Sequence, residues 1–251
     1  IISVGSKKYN RHWWQMWQGA IGTYWDWIID LRGSALSYIL LSRKRSIWRG
    51  TDQKAPKYIQ LSKLLGNETP CYPAVVLSRD RLEKVKTQLK DQGSFGVIAP
   101  LANWGPKEWP APYFIELLRD PQFENHRFLF LCAPHEKPRL KPFLDAFGPK
   151  LLTLSPSDHL LDVAAYLECA DFFVGNDSGL MHMAAAIGIP TLGIFGPSND
   201  LYYAPSGPKA HYIRTPETYE NLWARVEKGD MDGLMDRLSP AMVAEILRDR
   251  V

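Results

Sequence analysis

The feature that most constrains the fold is the stretch of residues 171–198, DFFVGNDSGLMHMAAAIGIPTLGIFGPS. Its pattern predicts two strands, residues 171–174 and 191–195, separated by a tight polar turn and a helix that opens near Ser178. Because a strand–turn–helix–strand unit joins two parallel strands, the stretch favours an α/β fold with a parallel sheet. Ligand sites in such sheets lie at the carboxyl ends of the strands, so the functional site is expected in the turns that follow them.

The start of this helix has the features of an anion site. Asp177 is predicted to cap the helix, and the backbone N–H groups of Ser178, Gly179 and Leu180 point out of its first turn. Such a helix start attracts phosphate groups. His182 follows Ser178 by four residues and therefore stands above the same end of the helix. In the alternative interpretation, Asp177 is only a cap and His182 is a core histidine with its own hydrogen bonds.

The string NDSGLMHMAAAIGIPTLGIFGPS resembles the signature of the family 9 glycosyltransferases, the lipopolysaccharide heptosyltransferases, which opens D-[ST]-G-x-x-H and closes F-G-P-[ST]. The resemblance implies a fold of the GT-B type, with two Rossmann-like domains and parallel sheets. It also implies a metal-independent transferase that moves a heptose, with inversion, from ADP-heptose to a lipopolysaccharide core or lipid A acceptor. Asp177, Ser178, Gly179 and His182 would then bind the donor. The alternatives are a GT-B enzyme for another nucleotide sugar and a non-catalytic sugar-nucleotide-binding protein.

A second match lies in a loop rich in Gly and Pro, between a predicted strand (95–101) and a predicted helix (113–118). The family has a K-x-W-P core here, in which the lysine reaches the nucleotide phosphates, so Lys107 is the expected catalytic residue. Ala102 and Asn103 stand where the heptosyltransferase I type carries two threonines. Asn103 is expected to donate a hydrogen bond to the donor through its amide, whereas the side chain of Ala102 has no donor. This departure leaves the identity of the donor sugar open.

Two further positions are carried over from the resemblance. Glu136 ends a P-H-E sequence after the predicted strand 127–133 and is expected to bind the ribose of the nucleotide. Its alternative is a first-turn glutamate favoured by the helix dipole. Arg32 is the third residue of a D-L-R-G sequence at the end of the predicted strand 24–31 and is expected to face the acceptor. Its alternative is a surface arginine beside a helix start.

A polar stretch near residues 92–93 suggests a division into two domains. Residues 1–92 are predicted to be the acceptor-side domain, and residues 93–251 the nucleotide-sugar-binding domain with a final helix, residues 239–250, that crosses back. The chain begins with Ile1, so we expect the first part of the acceptor-side domain to be missing. In the family a Gly-rich loop in that part supplies a catalytic Asp. The base is therefore expected upstream of Ile1, and this chain alone is expected to turn over little.

Charge is unevenly distributed along the chain. Residues 1–100 hold sixteen Lys and Arg against seven Asp and Glu, whereas the remainder holds fourteen against twenty. A basic first part suggests an anionic partner. We expect a lipid-linked saccharide acceptor with peripheral contact at the inner face of the inner membrane. A solvated basic face is the alternative, and nucleic acid is not expected because no recognition motif is present.

The tryptophans of the first part also have two interpretations. Trp13, Trp14 and Trp17 recur at helical spacing, which suits either insertion at a lipid headgroup layer or packing on a core. No apolar run in the sequence reaches the ~18 residues of a membrane-spanning helix. The chain is therefore not expected to span a membrane.

Cysteine and metal-ligand patterns exclude several classes of protein. Cys71, Cys132 and Cys169 are far apart and form no CxxC pair, so neither a disulfide framework nor a zinc site is indicated. This usage fits a reducing cytoplasm. No DxD-like metal motif stands in the expected place, and no His/Cys cluster is present. We therefore expect no metal, and no cofactor other than an ADP-sugar that serves as donor substrate.

Overall fold

The structure is a computed structural model that describes residues 11–50, 54–152 and 159–250. The chain divides into two compact units, Ile1–Cys71 and Tyr72–Val251. Each unit contains a parallel sheet flanked by helices, which confirms the predicted α/β class.

The first unit contains a two-stranded sheet and three helices: α1 (Arg11–Ala20), β1 (Trp25–Asp30), α2 (Leu36–Ile39), β2 (Ser42–Ile47) and α3 (Lys57–Leu65). Strands β1 and β2 pair in parallel, with Trp25 opposite Ser42 and Asp30 opposite Ile47. The single-turn helix α2 lies in the connection between them. The helix predicted for residues 35–42 is therefore much shorter than expected, because the chain re-enters the sheet at Ser42.

Three basic residues of the first unit, Arg43, Lys44 and Arg45, lie on β2, a strand that was not predicted. Lys44 sits opposite Trp27 of β1 and places its Nζ 4.1 Å from the centroid of a Trp27 ring. A cation above an aromatic face is attracted by the ring quadrupole. Lys44 thus covers part of Trp27, while Trp25, Trp27 and Ile29 of β1 are exposed.

Helix α1 confirms the helical spacing of the tryptophans. Trp14 and Trp17 stack with ring centroids 4.7 Å apart, and Trp14 is exposed. The choice between a lipid surface and a packed core for these rings stays open. No helix in the described parts of the chain is long and apolar enough to cross a membrane.

The second unit alternates strands and helices along most of its length. Its elements are α4 (Arg79–Leu89), β3 (Phe95–Ala99), α5 (Ala111–Leu117), β4 (Arg127–Phe130), α6 (Lys141–Phe147), α7 (Leu160–Glu168), β5 (Phe172–Asn176), α8 (Gly179–Ile187), β6 (Thr191–Phe195), α9 (Asp200–Tyr203), β7 (Ala210–Arg214), α10 (Tyr219–Glu227) and α11 (Pro240–Arg250). Short 3-10 turns follow β3 and β4.

The five strands of the second unit are all parallel and run in the order β4-β3-β5-β6-β7. The order reverses between β3 and β5, so the connections from these two strands leave on opposite faces and open a crevice at their carboxyl ends. Alternate residues face two cores: Ile98 and Val174 pack in one, and Val97 and Phe173 in the other. Burial on both faces explains why β3 and β5 read as continuous apolar runs.

Small residues let α8 lie close on the sheet. Ala184 is fully buried. A Cβ added to Gly193 of β6 would lie 2.3 Å from Sδ of Met181, which is also fully buried. The packing of α8 on β6 therefore requires glycine at position 193.

Three features of the second unit differ from the sequence interpretation. The two units divide after Cys71, whereas a junction was predicted near Gln92–Gly93, because Val85 of α4 packs in the core that also holds Phe173. The strand predicted for residues 151–154 is a single bridge between Leu151 and Phe128 in the described residues, and residues 153–158 lie outside them. Elements α9, β7 and α10 were not predicted.

The final helix α11 was predicted and is present. Its Val243, Ala244 and Leu247 belong to the core that also contains Phe114 of α5. The predicted return of this helix to the acceptor-side domain stays a prediction.

Candidate functional site

The crevice at the carboxyl ends of β3 and β5 contains an ion pair. Lys107 lies in the loop after β3, Asp177 directly follows β5, and Nζ of Lys107 donates to Oδ2 of Asp177 at 2.6 Å. The side chains are 24% and 7% exposed, respectively. The structure therefore brings together two residues that the family resemblance assigned to donor binding.

The cap of α8 is Ser178, not Asp177 as predicted. Ser178 has an extended backbone, and its Oγ accepts a hydrogen bond from Met181 N–H at 3.5 Å. Asp177 is committed to Lys107 instead. Both residue types are good caps. Here the carboxylate of Asp177 forms an ion pair with Lys107, and Ser178 caps the helix.

The first turn of α8 offers its backbone donors to the crevice side of the helix. The N–H groups of Gly179 and Leu180 have no acceptor within the helix, because the first turn lacks preceding carbonyls. Gly179 is exposed, and a Cβ built on it would meet no atom within 4 Å. The helix is nine residues long, and its dipole adds a partial positive charge at this end.

His182 lies one turn further along α8 and is exposed. Its backbone N–H donates to the carbonyl of Ser178 at 3.4 Å, which places it above the helix start as predicted. The alternative interpretation of His182 as a buried core histidine is therefore wrong.

Asn176 connects the two loops of the crevice, a role that the sequence interpretation missed. This side chain is fully buried at the end of β5. Its Oδ1 accepts a hydrogen bond from the backbone N–H of Trp109 at 3.1 Å, and its Nδ2 donates to the Pro100 carbonyl at 2.7 Å. Both ends of the Lys107 loop are thus fastened to β5. The sequence feature that could have indicated this role is a polar residue at the end of an otherwise apolar strand.

The loop after β3 is also braced from within. Glu108 accepts the Ala102 N–H at 2.8 Å and pairs with Arg139, which follows β4. The hydrogen bond to Glu108 raises the pKa of the Arg139 guanidinium, so Arg139 remains charged. Asn103 is exposed on the same loop. Its side chain lies at the surface, and its contact with a donor stays a prediction.

Glu136 is buried beside this network. Its Oε2 accepts the Ala133 N–H at 2.9 Å, and its Oε1 lies 3.9 Å from Nη1 of Arg139. The carboxylate thus accepts the backbone N–H at the start of the 3-10 turn that follows β4. The ribose contact of Glu136 stays a prediction.

A second polar network braces the turn after β6. Arg214 of β7 pairs with the buried Asp200, and its Nη2 donates to the Gly196 carbonyl at 3.2 Å. Burial, followed by the charge of Asp200, raises the pKa of the neighbouring Tyr212. Ser198 is buried in this turn, and its Oγ has no hydrogen-bond partner among the described residues. Sequence reasoning missed Asp200 and Arg214, because their pairing depends on the unpredicted β7.

A sequence model of Glycosyltransferase family 9 (heptosyltransferase) matches residues 57–229, which is more than half of the chain. This chain belongs to glycosyltransferase family 9. The matched residues of the family 9 chain include Lys107, Asn176, Asp177 and the start of α8.

Curated relatives of the family 9 chain are heptosyltransferases. It is 28% identical over 182 residues to lipooligosaccharide heptosyltransferase 2 of Haemophilus influenzae, a match that covers 68% of this chain and 51% of that protein. It is 30% identical over 133 residues to lipopolysaccharide heptosyltransferase 1 of Escherichia coli, covering 53% of this chain and 40% of that protein. The chain spans about half, or less, of the length of these relatives.

Solved structures of the family share the fold of the family 9 chain. A family 9 glycosyltransferase from Veillonella parvula aligns with a TM-score of 0.73 at 19% identity, over 89% of this chain and 73% of that one. The ADP-heptose lipopolysaccharide heptosyltransferase II of Escherichia coli aligns with a TM-score of 0.69 at 18% identity, over 95% and 79%. These similarities confirm the predicted GT-B-type fold class.

Arg32 lies outside the part of the family 9 chain that the family model matches. It is exposed in the turn after β1, where its backbone N–H donates to Oδ1 of Asp30 at 2.8 Å. Burial alone would raise the pKa of Asp30. Hydrogen bonds to the carboxylate have the larger, opposite effect, so the pKa is lowered. The donors are the backbone N–H groups of Arg32 and Ser34 and the side chains of Ser34 and Ser37. The structure thus shows a turn ordered by Asp30, and the acceptor contact of Arg32 stays a prediction.

Metal-ligating residues of the family 9 chain are dispersed. Within residues 11–50, 54–152 and 159–250, no group of three or more His, Cys, Asp or Glu is placed to hold a metal ion. The polar groups gathered at the crevice are a lysine, a carboxylate and backbone N–H groups.

Proposed function

We propose that this chain binds the donor for a heptosyltransferase that acts without a metal ion. The enzyme would transfer a heptose from ADP-heptose, with inversion, to a lipopolysaccharide core or lipid A acceptor. The observation that carries the proposal is the position of Lys107 beside the first turn of α8 in a family 9 chain. A heptosyltransferase of Escherichia coli, solved with ADP, shares this fold with a TM-score of 0.69 at 19% identity over 98% of this chain and 79% of that one.

The donor diphosphate is proposed to bind between Lys107 and the backbone N–H groups of Ser178 and Gly179. A lysine and a helix start both stabilise negative charge, and this charge grows on the diphosphate as the sugar departs. One such preorganised donor contributes about 3 kcal/mol in a transition state, or ~10²-fold in rate. His182 is assigned to the same diphosphate, and Asp177 to hydroxyl groups of the sugar.

Other contacts of the proposed complex rest on the family resemblance. Glu136 is assigned to the ribose, and Asn103 to the donor through its amide. Arg32 is assigned to the acceptor, which we propose is an anionic lipid-linked saccharide reached by peripheral contact at the cytoplasmic face of the inner membrane. The exposed basic side chains of β2 support this last assignment, because they would attract anionic headgroups. No residue of this chain is assigned as the general base.

A donor other than ADP-heptose is the second candidate, and one observation favours it. Ala102 is buried where the heptosyltransferase I type has a threonine, and only its backbone N–H takes part in a hydrogen bond there, to Glu108. A site that loses a hydroxyl donor discriminates differently between sugars.

Calorimetric titration of the chain with ADP, ADP-heptose, ADP-glucose and UDP-glucose, each with and without EDTA, tests both candidates. We expect ADP to bind irrespective of EDTA, and Lys107→Ala to weaken it by about 10- to 100-fold, because a hydrogen bond to a charged group is worth about 1.5–3 kcal/mol. Lys141→Ala is the matched control, since Lys141 is an exposed lysine that pairs with Asp145. ADP binding by Lys107→Ala at wild-type strength would remove the lysine from the site. Absence of ADP binding by the unmodified chain would overturn the proposal, and preference for UDP-glucose would establish the second candidate.

A further inference from the structure

We propose that Trp223 of helix α10 is a positioning residue that holds Lys107 at the crevice. The indole ring of Trp223 contacts that of Trp104, which lies three residues before Lys107 in the loop after β3. Neither tryptophan belongs to the K-x-W-P or D-[ST]-G-x-x-H motif. The inference rests on the proposed function, because it concerns the lysine that is assigned there to the donor diphosphate.

Buried polar contacts hold the two ends of the Lys107 loop. Asn176 binds the backbone at both ends, as described above. The side chain of Trp109 is only 1% exposed, and its Nε1 donates to the Leu238 carbonyl at 2.8 Å. These contacts involve none of the residues 103–106, which form the outer part of the loop. The outer part therefore needs a support of its own.

The outer part of the loop packs on α10 through aromatic rings. The ring centroids of Trp104 and Trp223 are 6.3 Å apart, and the ring planes meet at 62°. This edge-to-face arrangement is attractive, because the positive edge of one ring faces the negative face of the other. The backbone N–H of Lys107 donates to the Trp104 carbonyl at 3.1 Å within a 3-10 turn. The position of Trp104 therefore determines where the lysine side chain begins.

Helix α10 holds the Trp223 ring in a fixed orientation. Tyr219, Trp223 and Glu227 recur at four-residue spacing and therefore lie on one face of the helix. The Tyr219 ring lies 5.9 Å from the Trp223 ring, and Oε1 of Glu227 accepts a hydrogen bond from Nε1 of Trp223 at 3.0 Å. The helix is anchored by Leu222, which is fully buried. Trp223 thus offers Trp104 a surface whose orientation is already set by its neighbours.

Core packing alone does not account for this contact. Trp223 is 39% exposed, so its ring buries less apolar surface than a core tryptophan such as Trp109. Nζ of Lys107 reaches Oδ2 of Asp177 across the crevice at 2.6 Å, and a shift of the loop would change that geometry. A displacement of about 1 Å far from the reacting atoms can cost about 10²-fold in rate. A loop held at its ends and at its outer part keeps the lysine within that tolerance.

Trp223→Ala tests the inference by calorimetry with ADP and by amide hydrogen exchange. We expect ADP binding to weaken about twofold to tenfold, the range that corresponds to the loss of one aromatic pair. The Lys107 amide, which donates to the Trp104 carbonyl, should exchange at least several-fold faster. Trp223→Phe keeps an aromatic ring and should retain most of both values. Leu144→Ala removes an exposed apolar side chain of α6 and is the control that should change neither.

A double-mutant cycle with Lys107→Ala separates positioning from packing. If Trp223 acts through the lysine, Trp223→Ala should have no further effect on ADP binding once Lys107 is replaced. An equal loss in both backgrounds overturns the inference, and so does unchanged ADP affinity or unchanged exchange of the Lys107 amide in Trp223→Ala alone. If the unmodified chain binds no ADP, the proposed function fails instead. Hydrogen exchange then still decides whether Trp223 holds the loop, so the two failures are distinguishable.

Discussion

Lys107 and Asp177 form a 2.6 Å contact across the crevice, although seventy residues separate them in the chain. The contact neutralises the lysine that the proposed function assigns to a diphosphate. In the proposed complex, an incoming donor would compete with Asp177 for Lys107, and the carboxylate would also repel the phosphates. The pair fixes the position of the lysine, and in the proposed complex it would also set the affinity for nucleotide.

Asp177→Asn is expected to strengthen the binding of ADP. The amide keeps the shape of the side chain, frees Lys107 and removes a like charge near the diphosphate, which we expect to increase affinity about threefold to tenfold at low salt. The gain should shrink in 0.5 M NaCl, where charges are more strongly screened. Calorimetry at both salt concentrations measures it, with Asp145→Asn as an exposed control. Weaker ADP binding by Asp177→Asn would show that the carboxylate supports the nucleotide rather than opposes it.

Gly179→Ala separates ligand binding from stability. The added methyl group meets no protein atom within 4 Å, and alanine is a better helix former than glycine, so the free energy of unfolding should stay the same or rise by up to about 1 kcal/mol. A methyl group at the first turn of α8 would crowd a bound phosphate, and ADP affinity should fall at least several-fold. Thermal unfolding and calorimetry give the two values. Unaltered ADP affinity would argue against a diphosphate at this helix start.

Gly193→Ala is the counterpart that should affect stability. Its Cβ would lie 2.3 Å from Sδ of the fully buried Met181, and overpacking of this kind costs about 1–3 kcal/mol. Urea denaturation is expected to show that loss. A variant as stable as the parent would mean that α8 can move away from β6 without cost.

Asn176→Leu should destabilise the second unit and loosen the Lys107 loop. The substitution leaves the backbone N–H of Trp109 and the Pro100 carbonyl without their buried partner. Each unsatisfied buried group lowers the free energy of unfolding by about 1–3 kcal/mol. We expect the free energy of unfolding to fall by about 2–6 kcal/mol, because two groups are affected. Asn221→Leu on the exposed surface of α10 is the control. A loss no greater than that of the control would indicate that another residue anchors the loop.

The pKa of Asp30 predicts a pH dependence in the first unit. Because this pKa is lowered in the folded state, the ionised carboxylate stabilises its turn above the unfolded-state pKa, and this stabilisation is lost as the pH falls through the folded-state pKa. Asp30→Asn should therefore reduce stability at pH 7, and the difference from the unmodified chain should shrink as the pH falls through the folded-state pKa of Asp30. NMR titration of the carboxyl carbon gives the pKa directly, and a midpoint above the usual range for aspartate would contradict the assignment.

Local patterns predicted much of the second unit. Strand β6 has the bounds that its apolar pattern indicated, because turn residues limit the run. Strand β2 was missed, since a run that includes Arg43, Lys44 and Arg45 does not look like a strand until its pairing with β1 is known. Strand β7 was missed for a related reason: its burial depends on its place at the sheet edge.

The site was predicted in part for the same physical reasons. The helix start at Ser178 could be inferred from residues close together in the chain. The links from Asn176 to Trp109 and from Asp177 to Lys107 span sixty-seven and seventy positions, respectively. Such contacts are products of the sheet order, which places β3 beside β5. One sequence alone does not show that β3 and β5 are neighbours, so these two contacts could not be predicted from it.

The hydrogen bond between the Trp109 indole and the Leu238 carbonyl has a consequence for biosynthesis. Lys107 is synthesised more than a hundred residues before Leu238. The hydrogen bond that anchors its loop therefore cannot form until the later segment has left the ribosome. Nucleotide capture by this chain is therefore expected to begin only late in translation, once helix α11 has also joined the core.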